Sequence, residues 1–175
     1  MKKSVITLIL TLSGFSNVAT ASTAPISQCL NDKYDDYIST SLEWYQDLVS
    51  ITTQQNPQLK DVGEWFLEGR THHFELNRAA VHYYLTNDPT KVAIKEPVES
   101  WLKLPQPEIK QLAQRNDELG KIAKATFDDR QAPPNKMNYE LRSAFAELLS
   151  HPSNINPALD KYNQAMAKTS DIICQ

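Results

Sequence analysis

The stretch NPQLKDVGEWFLEGRTHHFELNRAAVHYYLTN, Asn56 to Asn87, decides the fold. Asn56-Pro57 reads as a helix start, because Asn can accept the free N–H groups of a first turn and Pro at the first helical position loses no hydrogen bond. Asn87-Asp88-Pro89 reads as the stop. Between them Leu59, Val62, Phe66, Gly69, His73, Leu76, Ala80 and Tyr83 recur at steps of three and four, which places them on one face of a helix. Trp65 and Ala79 widen the apolar arc on one side; Leu67, Phe74, Val81 and Leu85 widen it on the other. Glu64, Glu68, Thr71, Glu75, Arg78 and His82 are left as the solvated stripe. An arc this wide touches several neighbours, so the helix is expected at the centre of a bundle.

Arg70, Asn77 and Tyr84, spaced seven apart, fall inside that arc beside His73. Burying such groups unpaired costs roughly 1 to 3 kcal/mol each, and more for an arginine, so partners are required. Two arrangements meet the requirement. One is a structural polar seam, with Arg70 bonded to a buried carboxylate or to helix-end carbonyls. The other is a ligand site formed by Arg70, His73, Asn77 and Tyr84, to which Gly69 contributes by letting a ligand or a backbone approach closely.

Working outward, the amino terminus carries Lys2-Lys3, the apolar run Val5 to Leu12 and the small-residue pattern Ala19-Thr20-Ala21, the marks of a secretory signal peptide over residues 1–21. Its apolar run is too short for a spanning helix, and Ile26-Ser27-Gln28 before Cys29 lacks the pattern of a lipid-modified cysteine. A single domain over 22–175, periplasmic or secreted and without a stable membrane anchor, is expected. The 18 basic and 21 acidic residues give −3; with Lys2 and Lys3 removed the remainder carries −5. That mild acidity argues against nucleic acid as a partner. Cys29 and Cys174 are the two cysteines of the chain, and in an oxidising compartment they are expected to bond to each other and join the termini.

Before the central helix, Leu30, Tyr34, Tyr37, Ser41, Trp44, Leu48 and Ile51 predict a second long helix from Ser27 to about Gln55. After it, Asp88-Pro89 and Glu96-Pro97 interrupt Thr90 to Leu104, which is expected as short helical pieces and loop with Val98, Trp101 and Leu102 on the core. Gln106-Pro107 opens a helix to about Asp129, with Ile109, Leu112, Asn116, Leu119, Ala123 and Thr126 or Phe127 inward. Gln131 to Lys136 reads as an exposed loop. Asn138 is expected to cap a helix with Leu141, Phe145, Leu148 and Leu149 inward, and Asn156-Pro157 begins a last one carrying Leu159, Tyr162, Met166, Thr169 and Ile173. The sum is an all-α fold: a small bundle of four long helices plus shorter pieces.

Motifs for chemistry are sparse. Glu68, His72 and Glu75 share a helix edge and form a weak candidate metal site, without the His-Glu-x-x-His pattern or the paired Glu-x-x-His of di-iron bundles. Serine-nucleophile patterns, phosphate-cradling glycine loops and dinucleotide fingerprints are absent, no cofactor is implied, and bonded cysteines exclude a catalytic thiol. The expectation is an exported, non-enzymatic protein whose partner is another protein, as for an inhibitor or immunity module. The alternatives are a small-molecule or metal carrier, or a hydrolase, centred on Arg70, His73 and Asn77. A filled core at that cluster favours the first; a pocket favours the others.

Overall fold

Asn56-Pro57 turns the chain between two long helices. In the structure, a computed structural model that describes residues 24–175, α1 (Ala24–Gln55) runs to this turn and a single 3-10 turn (Pro57–Leu59) leads into α2 (Lys60–Asn87). The expected leader, residues 1–21, lies outside the described residues. Asn56 starts α2 differently from the expected cap: its side-chain amide donates back to the Thr52 carbonyl, 3.2 Å away, closing the end of α1. Pro57 still supplies the break that its missing N–H predicts.

Among the described residues there are four further helices and no strand: α3 (Gln106–Leu112), α4 (Glu118–Gln131), α5 (Asn138–Ser150) and α6 (Asn156–Asp171). The fold is all-α, but its length is concentrated in α1 and α2, of 32 and 28 residues. α2 packs along α1; α4 lies on α2, α3 on α4 and α6 on α1, while α5 covers the end near the α1–α2 turn. Gly63 sets the closeness of the central pair, since a Cβ there would lie 2.8 Å from Val49 Cγ1 and 3.1 Å from Thr53 Cγ2.

Two apolar clusters form the core. One gathers Tyr34, Ile38, Phe74, Leu76, Val81, Trp101, Ile109 and Leu119 around the far end of the α1–α2 pair; the other gathers Leu48, Val49, Leu59, Val62, Leu141, Phe145 and Ile155 near the turn. The segment after α2 behaves as its prolines dictate, with 3-10 turns at Pro89–Lys91 and Val98–Ser100. Trp101 is buried against Tyr34, with parallel rings 5.8 Å apart, and its indole N–H donates to the Glu96 carbonyl.

The expected helix from Gln106 to Asp129 is broken. Asp117 accepts from the Gly120 N–H as the N-cap of α4, and the Arg115 side chain bonds both Asp117 and the Tyr83 hydroxyl, so side chains at the break compete with helical continuation. Asn116, expected inward, is exposed at this break. Gly120 is required there, because a Cβ would meet the Arg115 carbonyl oxygen at 2.1 Å.

Other departures share a cause, the shortage of neighbours around the peripheral helices. Leu149 is 50% exposed and Ile173 75% exposed, since α5 and α6 are each covered on one side only. Asn138 does not cap α5; the Asn135 side chain accepts the Met137 N–H instead. The carboxyl-terminal half of the stripe expected to be solvated faces α1: Arg78 meets Asp35 and Ser39, and His82 Nε2 lies 2.8 Å from Asp35 Oδ1. The Cys29–Cys174 disulfide joins the termini, and beside it Lys33 Nζ donates to the carbonyls of Ser170 and Ile172 at the end of α6. No described helix is long and apolar enough to cross a membrane.

Candidate functional site

The two core clusters part at Phe66, which packs edge-on against Phe145 in one and Tyr45 toward the other. Where they part, a cleft of about 290 Å³ opens between α2 and the end of α4. Trp65, Phe66, Glu68, Gly69, Arg70 and His73 line it from α2; Thr126, Asp129 and Arg130 line it from α4, and Ala132 from the loop beyond. Gly69 forms an open stretch of the wall, since a Cβ there would find only Asp129 Oδ2 within 4 Å, at 3.9 Å. Trp65, placed in the buried arc by periodicity, is 38% exposed at this cleft.

Arg70 is half-buried, with its guanidinium carbon 5.1 Å from the Tyr45 ring centre and 4.9 Å from that of Phe66. Among the described residues its side chain has no hydrogen bond and no ion pair. Aromatic faces stabilise a cation by about 0.5 to 1 kcal/mol each at such sites. They leave its N–H donors without an oxygen acceptor.

His73 lies deeper. Arg130 Nη2 is 3.4 Å from its Nδ1, and the Asn77 amide is 3.5 Å from its Nε2. A guanidinium can only donate, so Nδ1 accepts and the proton of the neutral imidazole sits on Nε2; Asn77 Nδ2, itself a donor, stands 3.5 Å from that nitrogen as a packing neighbour. Burial, then Arg130, then Arg70, lower the His73 pKa to about 4. Arg130 also reaches the Gln106 side-chain oxygen at 3.2 Å. The Thr126 hydroxyl donates to the His72 carbonyl, tying α4 to α2 at the cleft.

Of the four residues expected to form a ligand site, the structure brings Arg70 and His73 to the cleft and sets Asn77 behind His73. Tyr84 is elsewhere. It is buried, and its hydroxyl donates to Glu108 Oε1 at 2.8 Å; burial, then that bond, push its pKa up. Two further helical turns along α2 carry it into the apolar cluster that α3 covers. The candidate metal set Glu68, His72 and Glu75 is also separated. His72 Nδ1 meets Asp129 Oδ2 at 2.7 Å, and Glu75 is held by Arg78 at 2.9 Å. Among the described residues no three His, Cys, Asp or Glu side chains are placed to hold a metal ion. The cleft residues missed in the sequence are Thr126, Asp129 and Arg130, since the register of α4 against α2 depends on the break at Asp117.

His73 makes a pH prediction. Its folded pKa near 4 lies below the ordinary 6.5, so the unfolded chain binds the proton more readily. The stability from the neutral ring is complete above about pH 6.5 and is lost as the pH falls through about 4. Urea melts across this window are expected to show a steeper loss in the wild-type protein than in His73→Gln, with NMR of the ring carbons placing the titration; equal slopes would contradict it.

Compared with known proteins, the chain matches no family model, and no curated protein or solved structure matches it significantly.

Proposed function

We propose that this chain is an exported helical binding protein that holds a small molecule in the α2–α4 cleft. The observation that carries the reading is Arg70: a half-buried guanidinium, facing a cleft, to which none of the described residues supplies a carboxylate or carbonyl. A structural seam would place an acceptor there; instead the guanidinium faces the open cleft, where a ligand or water can take its donors. A cleft of this size with an unpaired cation in its wall supports the small-molecule alternative. Periplasmic or secreted placement is supported by the leader-like sequence at 1–21 and is compatible with the Cys29–Cys174 bond. Recognition without covalent chemistry fits the lining, since the Thr126 hydroxyl is committed to the His72 carbonyl and the His73 acceptor faces Arg130.

Gly69→Leu tests the proposal. A Cβ at this position finds open space at the cleft wall, and leucine is the better helix former by up to about 1 kcal/mol, so the variant is expected to fold about as stably as the wild type. In a fragment screen followed by amide NMR, compounds that shift Gly69, Arg70, His73, Thr126 and Arg130 in the wild type should no longer bind Gly69→Leu. Fragments that bind only elsewhere, or bind both proteins equally, would refute it.

A further inference from the structure

We infer that the α2–α4 cleft selects a small organic anion, its charged group on Arg70 and Arg130 and its apolar body along Phe66 and Trp65. The inference rests on the ligand reading above and adds the chemistry of the occupant.

Elsewhere in this chain, arginines that lie against the fold are given carboxylates: Arg78 has Glu75 and Asp35, and Arg115 has Asp117. At the cleft, Arg70 meets two aromatic rings, and Arg130 meets the uncharged Gln106 and His73. Neither has a carboxylate partner among the described residues. Glu68 and Asp129 also line the cleft, but Asp129 is committed to His72 at 2.7 Å and neither forms an ion pair with Arg70 or Arg130. The two guanidiniums act together on the His73 ring between α2 and α4, the second and third causes of its neutrality after burial. Arg70 with its donors unspent, and the exposed Arg130 with donors left beyond its contacts to Gln106 and His73, are complementary to a carboxylate or sulfonate, which takes charge-assisted bonds from guanidinium in fixed geometry.

Size and wall composition bound the rest of the ligand. At about 290 Å³ the cleft sits at the small end of ligand sites, which run roughly from 300 to 1,000 Å³. One or two rings beside the charged group would fill it. Phe66 and Trp65 supply the apolar wall for that body, and the open stretch at Gly69 lets it lie against the helix.

Four probes separate the possibilities by NMR and calorimetry at low salt: benzenesulfonate, inorganic sulfate, benzyl alcohol and benzylammonium. The wild-type protein is expected to bind benzenesulfonate with shifts at Arg70, His73, Thr126 and Arg130. Its affinity should exceed that for benzyl alcohol, and that for sulfate, by roughly tenfold or more. Arg70→Met and Arg130→Gln, two substitutions on different helices, should each weaken it by roughly tenfold, with each variant's amide spectrum confirming the native fold. If benzyl alcohol or benzylammonium binds the cleft as well as benzenesulfonate does, and Gly69→Leu blocks that binding, the anion inference fails while the cleft remains a site. Should no probe shift the cleft residues, or should Gly69→Leu bind all of them unchanged, the ligand reading fails and the inference fails with it.

Discussion

Replacing Cys29 and Cys174 together by serine is expected to lower stability by about 2 to 5 kcal/mol. The bond closes a loop with a sequence separation of 145, and in the chain-entropy account a loop of that length approaches the upper end of the range. The effect should also be uneven. In α6, Thr169 is the one buried residue, and Lys33 with the disulfide secures its end to the start of α1. Hydrogen exchange in the double variant should therefore rise most in α6 and the first turns of α1, while α2 keeps its protection until global unfolding. A uniform loss, or a stability change under about 1 kcal/mol, would contradict the part assigned to the bond.

Alanine at Gly120 should cost about 2 to 3 kcal/mol, whereas alanine at Gly69 should stabilise by up to about 1 kcal/mol. Both glycines lie in helices, and helix propensity favours the substitution at each. What separates them is the space around the added methyl. At Gly120 it would meet the backbone oxygen of Arg115 at 2.1 Å, and that oxygen sits in the break that ends α3 and starts α4, so it cannot give way without shifting the Asp117 cap. At Gly69 the nearest atom is 3.9 Å away. Chemical denaturation of the two single variants decides the matter. Equal signs would show that the break is softer, or the cleft tighter, than described.

The two central helices were legible because their apolar positions recur at steps of three and four over many turns, and the prolines at 57, 89 and 97 fall where the chain turns. The Cys29–Cys174 bond was legible from the paired cysteine count. The break at Asp117 was not, because Ile109, Leu112, Asn116 and Leu119 keep helical spacing straight through it. The decisive bonds are those of Arg115 and Asp117, two exposed-looking residues. That miss concealed half of the cleft. Arg70 and His73 stood out as polar residues in an apolar arc, but Thr126, Asp129 and Arg130 reach them only through the tertiary register of α4. Tyr84 shares their face in projection and lies too far along α2 to share their surroundings, since periodicity reports angle around a helix and says nothing of which neighbour covers each turn.

The central claim is that Arg70 serves the cleft and not the fold, and the denaturation midpoint of Arg70→Met tests it most directly. Methionine keeps much of the volume, suits a helix equally well and can rest its sulfur on the Tyr45 and Phe66 rings, which offsets the lost cation–π contacts. The account predicts a stability within about 1 kcal/mol of wild type, because no buried acceptor is left unpaired. A loss of about 2 to 5 kcal/mol would show that Arg70 is bonded within the fold and would return it to the role of a structural seam.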